Sequence, residues 1–214
     1  FEAGVAQAMV AVLASPRFLF RTDAGEAGSA PPPAFARVDE YSLASRLSYF
    51  LWSTMPDERL MQLAAAGQLR QNLAAEVQRL VADPRAENFI SSFSSQWLES
   101  RAVTNVAINA HEIFLREDFK APASYDLTTA QRAALEAEAQ AYFGYVMRAD
   151  RSVDEFIDSN YAFFNSTLAG YYFDGALGIT GNEMRKVDLG PGNWRGGILT
   201  LGSVLMVTSN RVGG

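Results

Sequence analysis

The chain has no cysteine and one histidine, His111, among its 214 residues. Without cysteine there is no disulfide framework, no thiol nucleophile, no cysteine-ligated iron-sulfur cluster and no covalent c-type haem attachment within this chain. With one histidine, a Ser-His-Asp apparatus would need His111 as its base, and a site requiring two imidazoles is excluded. Basic residues are also scarce: 18 against 24 acidic ones, a formal charge of −6. They are scattered singly, so no basic stripe is present to neutralise phosphates, and nucleic acid is not an expected partner. No apolar run approaches the roughly 20 residues that a membrane-spanning helix needs. Strand patterning is nearly absent, with 187–189 and 206–208 the only short candidates.

Helical patterning is abundant instead. Four segments place apolar residues at i, i+4, i+7 and i+8, which puts them on one helix face. They are Val5, Met9, Val12, Leu13; Leu43, Leu47, Phe50, Leu51; Leu73, Val77, Leu80, Val81; and Leu135, Ala139, Tyr142, Phe143, continuing to Val146. Asp83-Pro84 reads as an N-cap followed by proline at the first helical position, and Thr128 with Gln131 and Ser152 with Glu155 read as capping boxes. Helices are expected near 2–14, 40–54, 57–66, 71–82, 84–100, 112–118, 129–149, 153–158, 165–172 and 195–206. The expected fold class is therefore all-α, an irregular multi-helix bundle with an N-terminal helical extension and an incomplete C-terminal segment.

The sequence GEAGSAPPP at 25–33 favours extended backbone and reads as a linker. The expected organisation is an N-terminal helical segment (1–24), a Pro/Gly-rich linker (25–38), a central helical domain (39–173), and a glycine-rich loop with a C-terminal segment (174–214). The chain begins with Phe1, and Arg211 to Gly214 reads as an unfinished loop, so a piece of something longer is expected.

Residues 41–70, YSLASRLSYFLWSTMPDERLMQLAAAGQLR, carry a distinctive string. Together with ASPRFLFR (14–21), FSSQWL (93–98), NYAFFNSTLAGYY (160–172) and RGGILTLGSVLMVTSN (195–210), they resemble a family of large secreted bacterial proteins. That family, known from planctomycetes and myxobacteria, is built from several domains of unknown function and is often fused to a c-type cytochrome domain. The resemblance implies export to the periplasm or cell surface, and a haem c group in a neighbouring domain or subunit that serves electron transfer or oxidation. The Cys-x-x-Cys-His attachment motif is absent here, so no cofactor is expected in this chain. Expected partners are other domains of the parent protein or a cytochrome-bearing subunit.

Several residues could line a ligand cleft: Arg46, Trp52, Asp57, Trp97 and Asn165. Each has a structural alternative. Met55-Pro56-Asp57 launches a helix, with Asp57 and Glu58 favourable in its first turn, and Arg46 at the edge of an apolar stripe could tie two helices through a carboxylate. Arg17 carries the same ambiguity. Glu136 and Glu138, two apart, point to different helix faces and make poor partners for a shared metal; a di-iron site would need Glu-x-x-His twice. Asp150, Asp154, Glu155 and Asp158 lack the glycine and terminal glutamate of a calcium loop and read as capping and a solvated face. No metal ligand set is expected. His111 reads as a surface or capping residue. No Gly-x-Ser-x-Gly elbow surrounds Ser203, and neither glycine cluster near 190–197 ends as a phosphate loop does. The stretch from Tyr161 to Phe173 is too densely aromatic for one helix face. Tyr161, Phe163, Phe164, Tyr171 and Tyr172 are thus candidates for a docking surface or, alternatively, a pocket wall.

The functional expectation is a non-haem helical scaffold or interaction region of a secreted, cytochrome-c-associated protein. The competing expectation is the substrate-cleft-forming part of an extracytoplasmic oxidoreductase or polymer-degrading enzyme.

Overall fold

The computed structural model describes residues 1–20, 37–106, 127–190, 193 and 195–208, with Arg17 described in its backbone alone. His111, the helix expected at 112–118, most of the 25–38 linker and the terminal 211–214 lie outside the described residues. The chain forms two compact units, 1–80 and 81–214.

The first unit holds α1 (Glu2–Leu13), α2 (Pro16–Leu19), α3 (Glu40–Trp52), α4 (Glu58–Ala65) and α5 (Leu73–Ala82), whose last two residues belong to the second unit. In α1 the expected stripe is present, but no residue of the helix is buried. In α3 the packed face differs from the expected one. Ser42, Ala44, Ser48, Leu51 and Trp52 are buried, Leu43 and Leu47 half-buried, and Phe50 and Arg46 exposed. Small side chains on that face let α4 approach closely, and the Ser48 hydroxyl is spent locally, donating to the Thr54 carbonyl at 2.8 Å. Leu60, Ala64, Leu69 and Leu80 complete the core of this unit.

The second unit is organised around α7 (Thr129–Arg148), a 20-residue helix started by the expected capping box: Thr128 Oγ1 accepts from the Gln131 N–H and the Gln131 side chain accepts from the Thr128 N–H. Around it pack α6 (Glu87–Trp97), entered through a 3₁₀ turn at Pro84–Ala86 capped by Asp83, a second 3₁₀ turn at Ser100–Thr104, α8 (Ser166–Phe173) and α9 (Gly202–Thr208). The expected stripe Leu135, Ala139, Tyr142, Phe143, Val146 is buried along its full length.

The fold is mostly helical but not strictly all-α. Tyr161–Phe164 (β1) pairs antiparallel with Arg185–Asp188 (β2), Tyr161 opposite Asp188 and Phe164 opposite Arg185. The candidate strand at 187–189 overlaps β2; the one at 206–208 is helical, inside α9. Successive residues of β1 point to opposite faces, and both faces are covered. Tyr161 and Phe163 enter a core with Leu98, Ala139, Tyr142, Val146, Ile198 and Leu201, while Ala162 and Phe164 enter another with Val103, Ala134, Leu135 and Leu168. A strand buried on both sides reads as a continuous apolar run, which is why alternation did not reveal it. Among the described residues, no helix is long and apolar enough to cross a membrane.

Candidate functional site

The distinctive corner in the first unit joins the end of α3 to the start of α4. Ser53 ends α3 in the left-handed region (φ 57°), and its N–H bonds back to the Tyr49 carbonyl. Asp57 starts α4, its Oδ1 accepting from the Leu60 N–H at 3.0 Å. The Trp52 indole is fully buried and donates to the Leu80 carbonyl at 2.9 Å. Arg79 spans the two helix ends, donating to Asp57 (Nη1 to Oδ2, 2.7 Å) and Glu76 (Nε to Oε2, 2.7 Å), with its guanidinium 5.5 Å from the Trp52 ring centroid. Glu76 is fully buried and also accepts from Arg59 at 2.7 Å. Burial opposes the Arg79 charge, yet its two carboxylate partners raise its proton affinity. Trp52 and Asp57 thus sit within one network, and Arg46 is exposed on α3.

Trp97 and Asn165 belong to the second unit. Trp97 is exposed at the end of α6, in a row with Phe89 and Phe93: ring centroids are 5.3 Å apart for Phe89–Phe93 and 5.8 Å for Phe93–Trp97. The row rests on Phe143 and, through Trp97, on Phe156. Asn165 is buried and is the N-cap of α8, its Oδ1 accepting from the Leu168 N–H and its amide donating to the Asn182 carbonyl.

The aromatic stretch needs correcting as a docking surface. Tyr161, Phe163 and Phe164 are buried strand residues because both faces of β1 are packed. Tyr172 is half-buried, with its ring against Phe164 and its hydroxyl bonded inward. Tyr171 alone of the five is exposed.

The second unit also contains a cleft of about 580 Å³, lined by Glu155, Asp158, Ser159, Asn160, Tyr161, Leu189, Gly190, Asn193 and Arg195. Two close backbone approaches stand next to its lining residues Ser159 and Arg195. A Cβ on Gly196 would stand 1.9 Å from the Ser159 carbonyl oxygen, and one on Gly197 (φ 73°) 2.3 Å from that of Ile157. Only glycine lets the 195–197 backbone lie this close to 157–159.

A polar chain runs beneath the cleft. The Tyr142 hydroxyl lies 2.5 Å from the Glu155 carbonyl and 2.7 Å from Ser159 Oγ. Ser159 Oγ donates to the Tyr161 carbonyl and accepts from the Gly197 N–H. The Tyr161 hydroxyl donates to Glu155 Oε2 at 2.6 Å, and Arg151 pairs with the same carboxylate. Arg151 and then Tyr161 hold the Glu155 carboxyl below its usual range. Burial pushes both tyrosines up. The Ser152–Glu155 capping box is not what forms here: Ser152 accepts from the Asp154 N–H, and Glu155 turns to Arg151 and Tyr161.

Behind the cleft stands a residue that sequence reasoning placed only as a poor metal partner. Glu138 is 1% exposed on the core side of α7. The Tyr172 hydroxyl reaches its Oε2 at 3.3 Å, and the Arg195 guanidinium lies 3.6 Å over the Tyr172 ring centroid. Burial raises the Glu138 carboxyl to about 8, although Arg195, Tyr172 and the Gly202 N–H each favour its charged form. The available signal was its position: Glu138 follows Leu135 by three and precedes Tyr142 by four, so it lies on the apolar face. Among the described residues, no cluster of three or more histidine, aspartate or glutamate side chains could hold a metal.

No curated protein and no solved structure matches the chain. One family model does, over residues 38–173, a stretch that includes the Trp52–Asp57 corner, the whole of α7 and β1. The chain therefore belongs to the PSD4 family, described as proteins of unknown function (DUF1592).

Proposed function

We propose that this chain is a non-haem scaffold and interaction region of a secreted, cytochrome-c-associated multidomain protein, supporting an extracytoplasmic electron-transfer or oxidative system. One observation carries this reading: the signature residues Trp52 and Asp57 are engaged in holding helix ends together, while large aromatic side chains stand exposed on α6, where Phe93 is 41% and Trp97 46% accessible. A row of rings in solvent is what an interaction face presents to a partner. The resemblance to cytochrome-linked secreted proteins supplies the proposed partner: a haem-bearing domain or subunit. The test is to isolate the parent protein from its native cells and examine it by optical spectroscopy and cell fractionation. A Soret band that accompanies the protein in the periplasmic or surface fraction is expected. A haem-free protein confined to the cytoplasm would overturn the reading.

The cleft favours a second reading, the binding of a small hydroxylated substrate. Its carboxylates, side-chain amides and guanidinium are groups that pair with hydroxyls. Calorimetric titration with neutral and acidic monosaccharides tests it. Binding that Asp158→Ala and Asn160→Ala weaken is expected, and no heat from any of these sugars counts against it.

A further inference from the structure

We propose that Glu138 is a buried proton-binding residue that positions the Arg195 guanidinium and so sets the charge and donor groups the cleft presents. This rests on reading the cleft as a binding site, but its test needs no ligand.

Arg195 belongs to two environments: it lines the cleft, and its guanidinium lies over Tyr172, whose hydroxyl contacts Glu138. The groups that act on Glu138 are Tyr172 from α8, Arg195, and the Gly202 N–H from the start of α9. Other charged groups nearby are turned elsewhere. Residues 202–208 of α9 contain no ionisable side chain. On α7 itself, the buried Arg132 donates to the carbonyls of Leu127, Val103 and Val106. On the turn at Ser100–Thr104, Arg101 is exposed and directed at the Ser92 carbonyl. On β1, the Tyr161 hydroxyl is held by Glu155; on β2, Lys186 pairs with Asp188 over the Tyr161 ring.

When Glu138 is protonated, Arg195 rests on the ring face and remains at the cleft. When it ionises, a carboxylate stands in a tightly closed place: a Cβ on Gly202 would lie 2.2 Å from the Tyr172 hydroxyl and 2.5 Å from Leu135. Its burial leaves that charge cut off from bulk solvent, so compensation comes from Arg195 moving inward past the edge of Tyr172. Burial raises the Glu138 proton affinity enough to place this event near pH 8. The coupling is reciprocal: an anion that draws Arg195 outward also makes Glu138 bind its proton more tightly.

The experiment is arginine modification by phenylglyoxal on the intact chain, quantified by peptide mass spectrometry across roughly pH 6.5 to 9.5, a window spanning the titration. The Arg195 rate is divided by that of the exposed Arg185, which removes the reagent's own pH dependence. In the wild type this ratio is expected to fall several-fold with a midpoint near 8. In Glu138→Gln, which mimics the neutral acid, it stays flat and high. A flat wild-type ratio, or the same fall in Glu138→Gln, overturns the proposal. If the variant does not fold, carbon-13 NMR of the wild-type Glu138 carboxyl decides: a group that titrates at ordinary acidic pH cannot drive the movement. Failure of the cleft to bind a sugar would leave all of these results unchanged, so the two ideas fail separately.

Discussion

Asp57 caps α4 with one oxygen and meets Arg79 with both, while Arg79 keeps a second carboxylate in Glu76. Replacing Asp57 by alanine removes cap and ion pair together and is expected to cost about 1–2 kcal/mol in urea unfolding, most of it from the cap because the pair is partly solvated. Asp57→Asn keeps the capping oxygen and should recover at least half of that loss; equal losses in the two variants would assign the effect to charge instead. Glu138 gives a pH signature. Its folded-state affinity is raised from the ordinary 4.5 to about 8, so the folded chain holds this proton more tightly than the unfolded chain does. Below about 4.5 both states are protonated and nothing is lost; as pH rises from there through 8, stability falls, by on the order of 5 kcal/mol at about 1.4 kcal/mol per pKa unit. Glu138→Gln removes that slope, so its stability advantage over the wild type should widen between about pH 5 and 8 when both are melted side by side. Parallel curves would mean that Glu138 is ionised in the folded chain. The helix start beside Pro56 was readable, but the expected place of Asp57 was inside the first turn, and the structure makes it the N-cap. The burial of Glu138 was not readable, because spacing places a side chain on a face without saying how deeply that face is covered.

The elements divide by how local their causes are. Helix α7 follows from its stripe and its Thr128–Gln131 box, both encoded within a few residues. The turn at Pro84–Ala86 follows likewise from Asp83 and Pro84. Strand β1 depends on a partner 21 residues away at its closest, Phe164 against Arg185, and on two cores that cover its faces. The link between the 157–159 and 195–197 segments depends on glycine at a specific approach. At Gly197, φ is 73° and an added Cβ would meet backbone oxygen of Ile157 and Phe156, which cannot swing aside as a side chain would. Gly197→Ala is therefore expected to destabilise by more than about 2 kcal/mol, combining overpacking with a strained backbone conformation. It should also loosen the segment from Arg195 through α9, read as faster amide exchange at 198–208. Unchanged exchange there would show that α9 is held independently of the glycine contact. The glycine pair is visible in the sequence as Arg195-Gly196-Gly197, but the crossing segment that demands it is 38 residues earlier at Ser159.

At the scale of the whole molecule, the described surface carries exposed aromatic side chains, Phe93 and Trp97 among them. The net charge of −6 does not steer the chain toward phosphates, and the Phe93–Trp97 row offers an apolar face despite that charge. Replacing both rings by serine is expected to reduce binding of a hydrophobic dye markedly, while costing about 1–3 kcal/mol of stability, since the rings still touch Phe143 and Phe156. A collapse of the fold would instead make this row part of the core. Composition, periodicity and capping determined that the chain is mostly helical, where most of its helices begin, and that cysteine chemistry is excluded. These are local properties, set by hydrogen bonding and side-chain order within one or two turns of backbone. Tertiary structure alone decided that Trp52 and Asp57 hold helix ends, that three of the five aromatic candidates from Tyr161 to Tyr172 are core, and that Glu138, Tyr172 and Arg195 meet. Each depends on residues brought together by packing, and the free energy of a buried ring or carboxyl is fixed by what covers it, which no stretch of neighbouring sequence specifies.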